Sequence, residues 1–539
     1  MTLNFQLRHL VMLLSLLMAL PAFVVLGSWL LPQWDSWAHL ADTVLAGYIQ
    51  NSLVLAFGVG ITSGALGTWC AWCVSQYQFP LVNHVRWMLF LPLAIPPYIM
   101  GYLYTGVLDF SGPIQRQLRD ITGLSYGEYW FPDVQSMPGA IFVLSLVLFP
   151  YVYGLAYVAF TSQSRSLLQV AQNHGLNGWQ YFIKVSLPLA LPAILTGILL
   201  TMMESLADFG TVEYLGIATF TTGIFRTWFG MNQPLVAAQL SAGLVCFVLF
   251  LFWLEKRVRE RQRFYQNNQQ NERLSRQISK TNALLVLSSL LLIMTLSFFV
   301  PLLRLVSWSW LVFKQSTEFG ELLALVTNSV LVAGFAAVVI MAIALLFGYA
   351  LRNKPNKLLS FVSSIAVTGY AFPGAVIAVG TVIVLGKADL MLNEFLGSVF
   401  NWQPGLVFSG TLVALLFAYS IRYLTVGFQH VNNGLNRISP SFDQAGKTLG
   451  ESDYGVLRKI HFPILKSSLL VGGLMVFVDV LKELPATLIL RPFNFDTLAV
   501  KTYELASDER LTDASLPALL IVMAGILPVW VIQRNIKSH

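Results

Sequence analysis

Twelve apolar runs divide this chain. They lie near 10–31, 48–74, 87–109, 138–160, 189–212 and 234–254, and again near 281–306, 326–351, 359–385, 406–429, 465–490 and 514–533. A run of ~20 apolar residues crosses a bilayer as a helix, because lipid offers no partner to a free backbone N–H or C=O. That constraint outranks local propensity and predicts an all-α polytopic membrane protein of about 12 transmembrane helices, six in each half. Sparse charge agrees: 11% of the 539 residues are Asp, Glu, Lys or Arg, where soluble domains carry roughly 25%. The first run, Leu10 to Leu31 behind Arg8 and His9, is longer than the apolar core of a cleavable signal and reads as the first span.

The net charge of +7 does not form a basic stripe interleaved with aromatics, so no nucleic acid is expected as a partner. The cations collect in alternate loops instead, among them Arg86, Arg165, Lys184, the cluster Lys256 to Lys280, Arg352, Arg437, Lys447, Arg458 and Lys459. The positive-inside rule then places both termini and these loops in the cytoplasm. The segment Glu255 to Lys280 is polar and rich in Gln, Asn and Arg; it reads as a tether that anchors topology beside membrane lipid.

The chain also repeats itself. Gly175 is followed thirteen residues later by Pro188, and Gly450 thirteen residues later by Pro463, so the two pairs are offset by 275. Val185 and Ile460 stand three residues before each proline, and Ala171 and Gly446 four before each glycine. At the same offset, Thr222, Arg226, Thr227 and Trp228 answer to Thr497, Lys501, Thr502 and Tyr503. A fixed offset over this distance predicts two tandem domains, 1–255 and 281–539, joined by a cytoplasmic linker at 256–280. Six spans per half is an even number, so the halves face the same way and a pathway is expected between them.

Ionisable residues inside spans are functional candidates by default. The fifth run carries Glu204 and Asp208, and the eleventh carries Asp479, Lys482 and Glu483. Glu204 answers to Asp479 and Asp208 to Glu483, again at 275. Acids four apart share one helical face. Two readings stand: the acids line the pathway and attract a cation, or Lys482 neutralises them and the cluster locks helices together. Cys70 and Cys73 form a C-x-x-C inside an apolar run with no second pair, which is poor ground for a metal site. Cys246 is expected to pack.

The two Gly–Pro loops resemble the cytoplasmic signature of ABC-importer permeases, Glu-Ala-Ala, three residues, Gly, nine residues, Ile, one residue, Leu-Pro. The triplet stands here as Gln169-Val170-Ala171 and Gln444-Ala445-Gly446, with glutamine for the family's glutamate in both copies. The resemblance implies that Gln169, Ala171, Gly175 and Pro188, with Gln444, Ala445, Gly446, Gly450 and Pro463, belong to short helices that dock in a groove on a separate ATP-hydrolysing subunit. Two copies of that subunit and a periplasmic substrate-binding protein are the implied partners, and a bacterial inner membrane the implied location. The segments Leu206 to Glu213, Thr221 to Trp228, Leu91 to Pro97 and Leu108 to Pro113 resemble the ferric-iron branch. Fused permeases for thiamine or aminoethylphosphonate share the layout. No cofactor is expected in this chain and no catalytic residues: Ser441 to Thr448 nearly spells a phosphate-binding loop, but Ser441 replaces the first glycine and no strand precedes it. A secondary transporter without an ATPase is the rival class; it would not need the paired loops.

Overall fold

The computed structural model describes residues 2–125, 128–262, 276–315, 319–353 and 356–537, so part of the expected linker, 263–275, lies outside the described residues. Among the described residues, ten helices are long and apolar enough to cross a membrane. The third expected run is a bent pair instead, Val82–Ala94 and Pro97–Thr122, meeting at 92°. The ninth divides into Lys357–Ala371 and Gly374–Phe400, and the twelfth is the shorter helix Ser515–Val531.

The two divided runs break for the same reason. Each carries a 3₁₀ turn, Leu91–Ala94 or Thr368–Ala371, followed by a proline that caps the next helix: Pro96 at φ −55°, ψ 142° and Pro373 at φ −54°, ψ 141°. Proline has no N–H to give, and it pushes the preceding residue out of the helical region. Hydropathy cannot register such a break, because the residues on both sides stay apolar.

The helices of one half interlock with those of the other. The first helix, Thr2–Gly27, packs on Lys357–Val367 and Gly374–Phe400. Gly380 makes the contact possible, since a Cβ there would lie 2.6 Å from the Pro21 carbonyl oxygen. Reciprocally, the helical stretch Lys280–Lys314 lies on the N-terminal half. Trp69 Nε1 donates to Ser289 Oγ at 3.2 Å, Tyr104 donates its hydroxyl to the Leu296 carbonyl, and Ala283, Val286, Leu290 and Met294 join the core around Cys70, Trp72 and Phe149. A two-residue parallel strand pair, Tyr77–Gln78 with Arg276–Gln277, adds a backbone link after the described gap.

Close packing within the N-terminal half depends on two glycines. A Cβ on Gly67 would meet Phe149 O and Tyr153 N at 2.8 Å, and one on Gly197 would meet Val152 Cα at 2.7 Å. Helices Leu45–Gln76 and Leu187–Ala207 thus clamp Met137–Thr161 from both sides. Small residues at such crossings let backbones approach where lipid supplies no hydrophobic drive.

Candidate functional site: two surface helices and a polar chamber

The Gly–Pro loops fold alike. Arg165–Asn173 and Pro440–Thr448 are short helices, and each ends at its glycine in the left-handed region, Gly175 at φ +74° and Gly450 at φ +82°. The Leu176 N–H donates to the Ala171 carbonyl at 3.0 Å, and the Glu451 N–H to the Gly446 carbonyl at 3.0 Å. This six-to-one closure is the Schellman motif, and it explains why glycine is needed there. The chain restarts at once. Asn177 caps the next helix through Gln180 N–H at 2.8 Å, and Ser452 caps its own through Gly455 N–H at 3.1 Å.

A π turn then follows in each copy, Phe182–Ser186 and Leu457–His461, immediately before the helices that carry Pro188 and Pro463. The wider turn accommodates a ring that would clash with the carbonyl four residues back and lacks the N–H to bond it. Gln169 and Gln444 are exposed, while Ala171 and Gly446 face inward. A Cβ on Gly446 would lie 2.9 Å from Val456 Cγ2, so the glycine permits the closer approach.

Replacing Gly450 with valine forces a branched side chain into the left-handed region. The penalty of about 1–2 kcal/mol should accelerate hydrogen exchange of the Glu451 amide roughly ten-fold. Unchanged protection would mean that the motif does not depend on that glycine.

At the far end of these helices the sequence-predicted acids meet. Glu204, Asp208, Asp479, Lys482 and Glu483 all line one chamber of about 130 Å³. Helices Leu187–Ala207 and Phe462–Leu481 both stop here, and short helices, Gly210–Tyr214 and Pro485–Leu490, follow. Asp208 accepts from Thr211 N at 3.0 Å, Thr211 Oγ1 at 2.9 Å and Val212 N at 3.2 Å. Glu483 accepts from Ala486 N at 2.9 Å. The repeated acids thus cap the helices that follow them. Lys482 Nζ sits 2.9 Å from Asp479 Oδ1.

Sequence reasoning missed the groups that complete the chamber. Arg422 Nη1 lies 3.3 Å from Glu483 Oε1, and Tyr423 Oη donates to Glu483 Oε2 at 2.8 Å. A Cβ on Gly374 would meet Glu483 Oε1 at 2.6 Å, so that glycine makes room for the pair. Tyr151 from the N-terminal half and Tyr370 from the C-terminal half line the same chamber as Glu204. The rule that found the acids, an ionisable residue within a span, also applies to Arg422; nothing distinguishes these tyrosines in sequence.

A second cavity of about 720 Å³ shares Glu204, Ala207, Tyr370 and Arg422 with the first. It extends past Ser363, Thr368, Thr425 and Gln429 to Leu351, Glu255 and Arg259. Leu351 neighbours Arg352, which is bonded to Asp443 of the second loop helix, so this cavity runs toward the loop end of the bundle. Aromatic side chains crowd the opposite end. Phe209 stacks on Phe225 at 3.6 Å and approaches Tyr503 at 5.9 Å, and a Cβ on Gly210 would meet Leu484 Cδ2 at 2.6 Å. Across both cavities, five carboxylates face three cations.

Among the described residues no group of three or more His, Cys, Asp or Glu side chains is placed to hold a metal ion. Cys70 and Cys73 are buried and free. Cys246, expected to pack, is exposed on the bundle surface instead.

Comparison with known proteins gives consistent results. Residues 63–263 match the family of binding-protein-dependent transport system inner membrane components. Over 537 residues, 98% of each chain, the protein is 26% identical to the Fe(3+)-transport system permease protein FbpB 2 of Haemophilus influenzae. It is 23% identical over 483 residues to the ferric transport system permease protein FbpB of Actinobacillus pleuropneumoniae, covering 85% of this chain and 66% of that one. The molybdenum transport system permease protein ModB of Haemophilus influenzae matches 40% of this chain over 94% of its own length, at 29% identity.

Proposed function

We propose that this chain, multi-pass and similar to ABC-importer permeases, forms the membrane path of an ATP-driven importer for ferric iron. In this reading a separate binding protein delivers the cargo on the outer face of an inner membrane. ATP hydrolysis belongs to another subunit, two copies of which dock on the helices Arg165–Asn173 and Pro440–Thr448. The halves 1–255 and 281–539, joined through 256–280, rock against each other, and both termini stay in the cytoplasm.

One observation carries the proposal: a polar chamber between the halves that continues into a larger cavity toward the loop end, with stacked aromatic side chains at the other. That is the one-sided opening alternating access requires, in its inward-facing form. Carboxylate and phenol oxygens line the path, and hard cations prefer such donors. The excess of carboxylates supports the same choice.

A second reading, an oxyanion cargo, is favoured by Arg422 and Lys482 at the chamber and by the molybdenum permease among the relatives. Reconstitution with an ATPase subunit and binding protein, followed by uptake of labelled ferric iron or molybdate, separates the two. The double variant Glu204→Gln with Asp479→Asn should lower uptake of a cation by about ten-fold or more while leaving an anion unharmed, since it removes attraction for positive charge alone. Unchanged iron uptake in that variant would leave the acids with a structural role only.

A further inference from the structure

The two docking helices are attached to the membrane helices by different chemistry. In the first, Leu168 and Ala171 are buried in the cluster that holds Trp72, Phe160 and Tyr181. The residue answering to Leu168 at the 275 offset is Asp443, and its environment is ionic. Arg352, at the end of the helix Phe319–Asn353, grips Asp443 Oδ2 with Nη2 at 2.9 Å and Nε at 3.0 Å. The same guanidinium donates to the Ile438 and Leu435 carbonyls, which precede the docking helix.

His461 completes the cluster. It is 1% exposed, it ends the π turn Leu457–His461, and its Nε2 bonds the other oxygen of Asp443. Tyr349 packs edge-on against its ring at 5.9 Å and donates its hydroxyl to the Asp453 carbonyl. Asp443 and His461 answer to Leu168 and Ser186 at the 275 offset, and Arg352, one residue before the end of its helix, answers to Ser75, one residue before the end of Leu45–Gln76. Ser186 bonds Gln163, in the turn after the helix Met137–Thr161, instead, so the three-residue cluster exists in one half alone.

Apolar contact is non-directional and tolerates sliding, whereas a forked guanidinium on a carboxylate fixes angle as well as distance. We propose that Arg352, Asp443 and His461 are positioning residues that lock the second docking helix to the transport helix Phe462–Leu481, so that the ATPase stroke is transmitted more rigidly through the C-terminal half than through the N-terminal half. This rests on the docking reading above.

The test measures uptake per ATP hydrolysed in the full complex, together with the amount of ATPase that copurifies. Asp443→Asn should lower uptake per ATP by at least about five-fold with the ATPase still bound, the size of an ordinary coupling energy. Arg352→Lys, which keeps the charge and loses the fork, should fall between this variant and wild type. His461→Gln should retain the wild-type ratio, because its amide can donate to Asp443 in place of the imidazole, whereas His461→Leu should not. Leu168→Ala in the first docking helix should lower the ratio by less than Asp443→Asn does. Wild-type ratios in both Asp443→Asn and His461→Leu would overturn the proposal, as would an equal loss in Leu168→Ala. A wild-type chain that recruits no ATPase would overturn the docking reading and the lock with it, and that result is distinct from an assembled but normally coupled variant.

Discussion

Arg422→Leu is expected to abolish uptake and to destabilise the protein by about 3–5 kcal/mol, the range for removing one partner of a buried ion pair. The side chain of Glu483 is 3% exposed and that of Arg422 14%, so the lost guanidinium leaves a carboxylate with little solvent around it. Glu483 would retain Tyr423 Oη and the Ala486 amide, two donors without a countercharge. The short helix Pro485–Leu490, which Glu483 caps, would lose its ionic tie to the helix Leu412–Asn436 and keep only the hydrogen bonds through Tyr423 and Tyr419. Adding Glu483→Gln should recover most of the stability, because an amide leaves no charge buried. It should not recover uptake if the charges act on cargo. The cycle of single and double variants, read by thermal unfolding in detergent and by transport, separates the two contributions. An Arg422→Leu protein with wild-type stability and uptake would remove this pair from any functional account.

Gly67→Leu is the second large effect. Even the Cβ would lie 2.7 Å from Val152 Cβ and 2.8 Å from Phe149 O and Tyr153 N, and the last two are backbone atoms that no rotamer change can move. The helices Leu45–Gln76 and Met137–Thr161 must separate, and the clamp completed by Gly197 opens with them. Overpacking of a well-filled site costs about 1–3 kcal/mol for smaller insertions, and a whole isobutyl group at a backbone contact exceeds that. The yield of folded protein should collapse. Gly334→Leu provides the control, because nothing lies within 4 Å of the corresponding Cβ. Equal yields from both variants would mean that the three-helix contact is not what holds the N-terminal half together.

Most of the fold could be read from the apolar runs, because lipid leaves a spanning backbone only the helix. Its interruptions are marked only by prolines, Pro96-Pro97 and Pro373, which signal an interrupted helix start while the sequence around them stays apolar and a hydropathy window averages over them. The repeat located the chamber acids because both copies kept a carboxylate. It also concealed Arg422, whose counterpart is Val147, and Tyr370, whose counterpart in the matching 3₁₀ turn is Leu93. A search for matched pairs passes over residues present in one half only, and much of the chamber's polar lining is of that kind. The crossing of Thr2–Gly27 onto the other half left no trace in composition, because a surface meeting lipid and a surface meeting another helix are equally apolar.

That crossing has a bearing on how the protein is made. Thr2–Gly27 leaves the ribosome well before the helices it rests on, Lys357–Val367 and Gly374–Phe400, which are more than three hundred positions downstream. At ~5–20 residues per second of synthesis, it must wait in the bilayer for tens of seconds before these neighbours exist. During that interval only lipid can coat the side of Pro21 that Gly380 will later cover. A ribosome that stalls midway would therefore leave an inserted but unclosed bundle, whose first helix is a ready target for membrane-embedded quality control.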